Sequence, residues 1–394
     1  MNHLFVTQDF PPVPGGMARR YVELCRRFGY GNDFIEVSTV AAPGAEGFDR
    51  SEPYAIHRQS FPFERANRFG NQLKWARWLI SHSSGKVDVL HCGNIRSAGY
   101  AVIWTAHRLT LPYIVYVNGG DLLREREKAR KGLKRRMARR ILGGANGIVA
   151  LSRWNAELAA EVLDEVGVRS HPPITAIDLG TDPDRFHPSR SSARMRQKWA
   201  VGRAPLLLTV ARLVPHKGQD VVIRALARLR AEFPLLRYVI VGQGHDESRL
   251  RQIAIDEGVG DAVIFAGELT DDDLPDAYAS ATIYVGLSRV DREINAEGFG
   301  IAFVEAGASG VPVVAGDSGG VRSAVRDGET GLVVPPTDVD AAVNAIALLL
   351  RDSDKRKELG SSGRRAVESY YNWDRVARET REFTRGVTSQ TGER

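Results

Sequence analysis

Two carboxylates in the C-terminal half of the chain stand eight residues apart, with glycines between them. Glu297 and Glu305 flank Gly298 and Gly300, and a short helix is predicted to begin near Ile301. Glycine lacks the Cβ that keeps a ligand away from the backbone, and amides at the start of a helix point outward as unsatisfied donors. This spacing allows both carboxylates to face one anionic or polyhydroxylated ligand. The alternative is a glycine-rich loop and a helix with a solvated glutamate.

Two basic residues follow an apolar run upstream of these carboxylates. In the segment VARLVPHKG, Arg212 ends a predicted strand, Lys217 stands where a helix is expected to begin, and His216 is expected to face solvent. The planar fork of an arginine and the point charge of a lysine can converge on one anion. A diphosphate leaving group requires such cations when no metal neutralises the charge that develops on its oxygens. The alternative is a pair of surface residues that flank a turn.

Weaker signals lie at the ends of other predicted strands. Gly15 and Gly16 separate the first strand from an amphipathic helix, an arrangement that can seat a phosphate but is also a common turn. Asn118 follows the run YIVYV, where it could bind a sugar hydroxyl or form an Asn-Gly turn. Gly242 begins a Gly-x-Gly turn, which by itself is a weak nucleotide signal. A base could stack or hydrogen-bond near Gly267, Glu268 and Leu269.

Alternating strands and helices must position these residues. Alternation of this kind predicts parallel, doubly wound α/β sheets, with ligands at the carboxyl ends of the strands. We predict two Rossmann-like domains over residues 1–185 and 186–372, with a C-terminal helix over 373–390 that packs back onto the first domain. The predicted strands are 3–8, 34–40, 87–92, 113–118, 147–152, a short one from 174, 205–212, 235–242, 262–267, 282–286, 311–316 and 331–335.

Size and composition are typical of a two-domain soluble protein. The chain has 394 residues, of which 43% are hydrophobic and 26% charged. Cys25 and Cys92 lack metal-ligand spacing, the acids at 271–273 suit a helix N-terminus, and no metal site is predicted. The sequence begins without a signal-peptide pattern and has no apolar run long enough to span a bilayer. We therefore expect a cytoplasmic protein, compatible with a peripheral position on the inner face of a membrane.

The net charge of +6 comes from one segment. Residues 124–140 hold ten Lys or Arg and two Glu, a local charge of +8, so the remaining chain sums to −2. Such a segment can hold an anionic membrane surface or a polyanion. The alternative is a solvated helix face with internal charge pairs. A nucleic-acid partner is not expected, because no aromatic residues interleave the basic ones.

These landmarks together resemble the retaining glycosyltransferases of family 4, which have the glycosyltransferase-B fold. The resemblance is densest from Pro205 to Pro335, where VARLVPHKG, VIVGQG, the run from Glu297 to Glu305, SGVPVVAGDSGG and DGETGLVVPP occur in family order. It implies two Rossmann-like domains facing a cleft and metal-independent transfer of a hexosyl group with retained anomeric configuration. The donor would be a nucleotide-diphosphate sugar, most often UDP- or GDP-linked, with no further cofactor. The acceptor would be a glycan, a lipid-linked molecule or a small molecule.

The resemblance also implies roles for individual residues. Arg212 and Lys217 would hold the diphosphate, Glu305 the ribose, and Glu297 the donor sugar, while Gly16 would contact the distal phosphate when the domains close. Amides of Gly298, Phe299 and Gly300 would assist Glu297. The family commonly has histidine where this chain has Asn118, which indicates a different contact to the sugar. Two other hypotheses stay open at this point: a nucleotide-sugar epimerase or hydrolase of the same fold, and a non-catalytic protein that binds membrane or polyanion.

Overall fold

The chain divides into two compact units. We describe residues 1–13, 15–29, 33–60, 68–129, 132–190, 192–291 and 295–389 of a computed structural model. One unit comprises Met1–Asp178 with Trp373–Arg394, and the other Leu179–Asn372. The division falls before residue 185 because the segment after Asp178 packs on the second unit, where Thr181 N donates to Tyr371 O at 2.8 Å and the Phe186 side chain is buried.

The first unit contains a parallel sheet with helices in its crossovers. Its strands are β1 (Asn2–Val6), β2 (Phe34–Val40), β3 (Ala55–Gln59), β4 (Val89–Cys92), β5 (Tyr113–Val117), β6 (Gly147–Ala150) and β7 (Ile174–Ala176). The helices that connect them are α1 (Gly16–Phe28), α2 (Ala45–Ser51), α3 (Arg68–Ser83), α4 (Ala98–Leu109), α5 (Gly120–Lys128), α6 (Gly132–Gly143) and α7 (Arg153–Val166). The strand order is β3-β2-β1-β4-β5-β6-β7.

The central strands of this sheet are apolar on both faces, as expected of strands covered by helices. Every residue of β4, β5 and β6 is buried. The edge strand β3 was not predicted because its sequence, AIHRQ, is mostly polar and only its last residue is buried. The strand is instead defined by its pairing with β2, from Ala55 opposite Glu36 to Gln59 opposite Val40.

The second unit repeats this architecture with a different sequence. Its strands are β8 (Leu206–Val210), β9 (Arg237–Val241), β10 (Val263–Gly267), β11 (Ile283–Gly286), β12 (Val313–Gly316) and β13 (Gly331–Val334), in the order β10-β9-β8-β11-β12-β13. Its helices are α8 (Ser192–Lys198), α9 (Gln219–Leu229), α10 (Glu247–Asp256), α11 (Leu274–Ser280), α12 (Ile301–Ala308), α13 (Val321–Ala324), α14 (Val339–Arg351) and α15 (Ser353–Ser369), with a 3-10 turn at Pro215–Lys217. The prediction of two doubly wound α/β domains is confirmed.

The strand order of each sheet reverses at one point. In the first sheet the reversal lies between β1 and β4, and in the second between β8 and β11. Ligands of doubly wound folds bind outside the carboxyl ends of the strands at such a point. In the second unit, the loops that follow β8 and β11 are therefore the ones best placed to hold a ligand.

The last helix, α16 (Trp373–Ser389), returns the chain to the first unit. Its buried face includes Val376, Thr380 and Val387. The guanidinium of Arg27 in α1 donates to Asp374 at 2.7 Å, and the Phe383 ring lies so close to Gly147 that a Cβ there would be 2.7 Å from the ring. Helix α16 thus covers α1 and the start of β6.

Candidate active site

The loops after β8 and β11 bring a cation and a carboxylate together. Lys217 ends the 3-10 turn that follows β8, and Glu297 lies in the loop between β11 and α12. Lys217 Nζ donates to Glu297 Oε2 at 2.6 Å, and Ser288 Oγ donates to the same oxygen at 3.2 Å. Both side chains of the ion pair are mostly buried, with 17% and 16% exposed. The sequence named both residues but did not predict that they pair.

These contacts keep the carboxylate of Glu297 ionised. Burial acts to raise its pKa, but the charge of Lys217 and the hydrogen bonds from Lys217 and Ser288 outweigh burial and hold the pKa below its ordinary value. One oxygen of Glu297 therefore carries a negative charge that two donors already stabilise.

His216 lies inside this loop, contrary to the expectation that it faces solvent. Its side chain is buried, within the 3-10 turn that ends at Gly218. Burial first, and then the charges of Lys217 and Arg212, lower the pKa of His216 to about 4. His216 is therefore neutral at neutral pH and leaves Lys217 and Arg212 as the cations of the loop.

A glycine allows the two loops to meet. Gly218 has φ 72°, and a Cβ at this position would lie 1.9 Å from the carbonyl oxygen of Leu287. Leu287 directly precedes Ser288, so this close approach sets the Lys217 turn against the segment that leads to Glu297. From the sequence, the glycine of HKG indicates only a turn and does not predict this contact with Leu287.

Arg212 lies at the same edge of the sheet but, unlike Lys217, is exposed and unpaired with a carboxylate among the described residues. Its backbone carbonyl accepts a hydrogen bond from Gln219 Nε2 at 3.1 Å, which fixes the start of the loop. The loop thus presents one cation already paired with Glu297 and one that faces solvent.

The backbone around Glu297 is held by a second glycine turn. The carbonyl of Glu297 accepts from Gly320 N at 2.8 Å, and a Cβ on Gly319 would lie 2.3 Å from the same oxygen. Downstream, Gly298 and the buried Phe299 lead to Gly300, whose φ of 94° begins α12. The prediction of a helix beginning near Ile301 is confirmed, and residues 292–294, which precede the site, lie outside the described residues.

Glu305 is positioned by α11 and α12. It is buried, with 5% of its surface exposed, and Tyr278 OH donates to its Oε2 at 2.7 Å. The structure therefore gives Glu305 and Glu297 different partners, Tyr278 for the first and Lys217 for the second. Tyr278 was not singled out from the sequence, where it reads as a core aromatic of α11.

Glycines also join the carboxyl ends of β8, β9 and β10. Gly242 N donates to Gly267 O at 2.8 Å, and a Cβ on Gly242 would lie 2.1 Å from the carbonyl oxygen of Ala211. After Gly267, the side chain of Glu268 is exposed and that of Leu269 half-buried. The three strand ends thus lie together, with Glu268 at the surface.

The predicted site residues of the first unit are two exposed glycines and one hydrogen-bonded asparagine. Gly15 precedes α1 and Gly16 is its first residue, and both are exposed. Asn118 follows β5, where its Oδ1 accepts from Arg20 at 2.8 Å and its Nδ2 donates to Asp121 Oδ2 at 3.3 Å. Its backbone N–H also donates to Asp121, at 2.8 Å. Asp121, three residues after Asn118, was expected at the same strand end, whereas Arg20 was not predicted. Together they hold the Asn118 amide in one orientation.

The basic segment contributes to two helices. Residues 124–128 end α5, residues 132–140 belong to α6, and residues 130 and 131 lie outside the described residues. In α5, Arg126 pairs with Glu161 and Glu165 of α7. In α6 the exposed basic residues form no ion pair with any described residue; they are Lys134, Arg135, Arg136, Arg139 and Arg140. None of the described helices combines the length and apolarity needed to cross a bilayer.

Known proteins match the chain over both units. A model of the glycosyltransferase family 4 matches residues 14–185, and a model of the glycosyl transferases group 1 matches residues 191–366. The GDP-mannose-dependent alpha-(1-6)-phosphatidylinositol monomannoside mannosyltransferase of Mycobacterium tuberculosis H37Rv is 31% identical over 97% of this chain and 98% of that protein. The D-inositol 3-phosphate glycosyltransferase of Stackebrandtia nassauensis is 28% identical over 92% of this chain and 85% of that protein.

The fold agrees with these matches. The crystal structure of Anabaena Alr3699/HepE in complex with UDP and glucose covers 97% of this chain and 98% of its own, with a TM-score of 0.78 and 19% identity. At this identity the likeness concerns the glycosyltransferase-B fold alone. With the family models over both units and a relative above 30% identity along the whole chain, the protein belongs to the group 1 glycosyltransferases of family 4 and is a nucleotide-sugar-dependent glycosyltransferase.

Proposed function

We propose that the protein transfers a mannosyl group from GDP-mannose to an inositol-containing, lipid-linked acceptor, with retained anomeric configuration and without a metal ion. The observation that carries the proposal is the Lys217–Glu297 pair at 2.6 Å, beside the exposed Arg212, at the strand reversal of the second unit. The choice of donor and acceptor is supported by two relatives, one named for GDP-mannose and a phosphatidylinositol monomannoside and the other for D-inositol 3-phosphate.

In this proposal the second unit binds the donor. Arg212 and Lys217 hold the diphosphate, Glu297 accepts from hydroxyls of the sugar, and Glu305 accepts from the ribose. Amide groups of Gly298, Phe299 and Gly300 at the start of α12 bind near the sugar, and the strand ends at Gly242 and Gly267 receive the nucleotide. The exposed carboxylate of Glu268 suits guanine, which presents two adjacent N–H donors. In the first unit, Gly15 and Gly16 at the start of α1 are proposed to bind a phosphate group.

The proposed reaction needs no enzyme nucleophile. The bond between the sugar C1 and the diphosphate oxygen breaks while the acceptor hydroxyl oxygen bonds to C1 on the same face, and the donor phosphate takes the hydroxyl proton. Glu297 is a poor nucleophile because Lys217 and Ser288 both donate to its Oε2. The same carboxylate can stabilise the positive charge that develops on the sugar ring.

The first unit is proposed to bind the acceptor and the membrane that carries it. Asn118, held by Arg20 and Asp121, would present the edge of the first sheet to the acceptor or the sugar. Helix α6 exposes five basic side chains and Leu133, which is 73% exposed. Basic residues near an anionic bilayer contribute roughly 1 kcal/mol each, so α6 suits peripheral association better than α5, where Arg126 is already paired.

Donor turnover tests the proposal directly. We expect GDP release from GDP-mannose in the presence of a phosphatidylinositol mannoside, and Glu297→Gln or Lys217→Met to lower kcat roughly 10²–10³-fold. A matched control is Lys355→Met, which breaks another Lys–Glu ion pair, to Glu358 at 3.0 Å in α15, and should leave turnover unchanged. Unchanged turnover in both site variants would reject these roles.

Product analysis tests the finer statements. NMR of the product should show an α-linked mannose, and turnover should persist in excess EDTA. A thermal-shift series with GDP-, UDP- and ADP-sugars should favour GDP-mannose, since a ligand at 100 times its Kd stabilises by about 2.7 kcal/mol. Turnover of the donor without an acceptor would instead indicate an epimerase or hydrolase of the same fold.

Vesicle sedimentation tests the role of α6. Neutralising Lys134, Arg135 and Arg136 to Gln should weaken binding to vesicles with anionic lipid and reduce its dependence on salt. Arg126→Gln is the matched control, because this residue is already paired with Glu161 and Glu165. A loss in Arg126→Gln of about one third of that in the triple variant, in proportion to the charge removed, would mean that net charge, and not α6, drives binding.

A further inference from the structure

Two imidazoles and a carboxylate converge in the first unit, on elements that carry none of the residues assigned above. Glu36 in β2, His57 in β3 and His82 in α3 direct their side chains to one point. His57 Nε2 lies 2.9 Å from Glu36 Oε2, and His82 Nε2 lies 2.5 Å from the same oxygen. Among the described residues this is the one group of three or more His, Cys, Asp or Glu whose ligand atoms come this close, all within 4.8 Å of one another.

The sequence distributes these ligands so that no spacing motif reveals them. His57 and Glu36 belong to neighbouring parallel strands, where His57 stands opposite Ser38, two residues beyond Glu36 on the same face. His82 comes from the last turn of α3. The three residues are separated by 21 and 25 positions along the chain, and β3 itself was not predicted. Only the fold assembles the cluster.

The donor set and its setting suit a borderline metal ion. A zinc ion takes His nitrogens at about 2.0–2.1 Å and carboxylate oxygens at about 2.0–2.2 Å, which keeps tetrahedral ligands roughly 3.3–3.6 Å apart. Imidazole with carboxylate is typical of zinc and its first-row neighbours. The side chains are 41%, 30% and 22% exposed for Glu36, His57 and His82, so an ion can enter and the ligands can separate by the small distance required.

A neighbouring aromatic ring orients one of the three ligands. Trp78 stacks on His82 with ring centroids 4.5 Å apart and an interplanar angle of 11°, which fixes the orientation of that imidazole.

We propose that Glu36, His57 and His82 form a site for a divalent zinc-like ion, with three protein ligands and the remaining coordination position open to water. The ion replaces the two hydrogen bonds to Glu36 Oε2 and ties the edge strands β2 and β3 to α3. The proposal is independent of the donor site, because β2, β3 and α3 carry none of the residues assigned to that site.

Metal binding by protein without an affinity tag tests the proposal. We expect Zn²⁺ to bind with a stoichiometry of one in competition with a chromophoric chelator, and Co²⁺ to give the visible absorption of a tetrahedral or five-coordinate site. Each of Glu36→Gln, His57→Gln and His82→Gln should weaken Zn²⁺ binding at least as much as loss of an outer partner of a metal ligand does, roughly 10–100-fold. The Co²⁺ absorption should disappear in all three variants.

His171→Gln is the matched control, because His171 faces a single carboxylate, Asp164, at 2.9 Å. It should leave both the affinity and the Co²⁺ spectrum unchanged. Zn²⁺ should also raise the Tm of the unsubstituted protein and of the control but not of the three cluster variants. Absence of stoichiometric binding, or equal binding by the cluster variants and the control, would overturn the proposal and leave a hydrogen-bonded cluster only.

Discussion

Two carboxylates of the second unit are held in place by well-placed donor side chains. Lys217 grips Glu297, and Tyr278 OH donates to Glu305 at 2.7 Å. A donor of this kind removes rotameric freedom before a ligand arrives, so less entropy is lost on binding. The residues that position the carboxylates are therefore as informative to test as the carboxylates themselves.

Tyr278→Phe isolates this positioning effect at Glu305. Loss of one hydrogen bond, about 1 kcal/mol, should raise the Kd for the nucleotide sugar several-fold while kcat changes little. Calorimetric titration with the donor measures the Kd, and steady-state kinetics the kcat. Tyr238→Phe serves as control, because this buried hydroxyl pairs with Thr209 at 2.8 Å. A Kd unchanged in Tyr278→Phe would show that Tyr278 does not orient Glu305 for binding.

His3 makes the first unit sensitive to acid. It is buried between His91 Nε2 at 2.9 Å and Asp33, and burial lowers its pKa to about 4 despite the opposing effect of Asp33. The unfolded chain, with an ordinary pKa near 6.5, binds more protons between pH 6.5 and 4, so the folded state loses stability as pH falls through this window. The lowered pKa of His3 corresponds to a loss of roughly 3 kcal/mol.

Urea unfolding at a series of pH values measures this loss. The urea concentration at the unfolding midpoint should decrease as the pH is lowered from 7 to 4.5. It should decrease less steeply in His3→Gln, because glutamine does not titrate. Some dependence should remain, because burial also lowers the pKa of His91 well below its ordinary value. Parallel pH curves for the two proteins would mean that His3 is not responsible.

Glycine turns act at the scale of elements, where they set the distance between loops. The turn at 317–320 supports Glu297 through the hydrogen bond from Gly320 N and through the close approach of Gly319 to the Glu297 carbonyl. A side chain at Gly319 would displace this carbonyl and, with it, the loop that carries the carboxylate. Loop geometry and the Lys217–Glu297 distance are therefore coupled.

Gly319→Ala tests this coupling. Gly319 has φ 56° and its Cβ would clash at 2.3 Å, whereas Gly328 has φ 75° with no atom within 4 Å of its Cβ. Both substitutions carry the cost of a left-handed alanine, about 1–2 kcal/mol, but only Gly319→Ala should also lower kcat/KM for the donor. Equal activity losses in Gly319→Ala and Gly328→Ala would show that the turn at 317–320 does not influence the site.

Apolar runs and glycine turns made most elements of the fold predictable. Strands such as β2 and β11 differ from the predicted runs by at most one residue, because buried parallel strands leave continuous apolar segments. The edge strand β3 left no such signal, and the basic segment did not show where α5 ends and α6 begins. Local sequence therefore predicts buried strands well, but it predicts poorly which strand pairs at the edge of a sheet.

The candidate site was predictable in its residues but not in its contacts. Glu297 and Lys217 could be named from motif order, yet their pairing depends on a backbone approach of Gly218 to Leu287 that no local pattern encodes. Arg20, which donates to Asn118, is 98 positions away along the chain and reaches it only because α1 lies near the end of β5 in the first unit. Long-range contacts of this kind require the fold.

At the scale of the whole molecule, the first unit is completed by the end of the chain. Val376→Asp would place a charge on the buried face of α16, where Val376 has no exposed surface, and should destabilise the first unit by several kcal/mol. Arg378→Asp, at a side chain 58% exposed in the same helix, is the control and should have little effect. Limited proteolysis near the thermal transition should release a resistant fragment of the second unit from Val376→Asp only. Equal resistance in both variants would contradict the assignment of α16 to the first unit.

The second unit begins and ends at neighbouring points. Thr181 and Asn372 form a parallel bridge, and Thr181 N donates to Tyr371 O at 2.8 Å, so the stretch from Leu179 to Asn372 is a closed loop inserted between two parts of another fold. Its termini are close enough for a short peptide to join them. This half of the enzyme is therefore suited to circular permutation and to expression as a cyclised chain, in which the proposed binding of the nucleotide can be tested by itself.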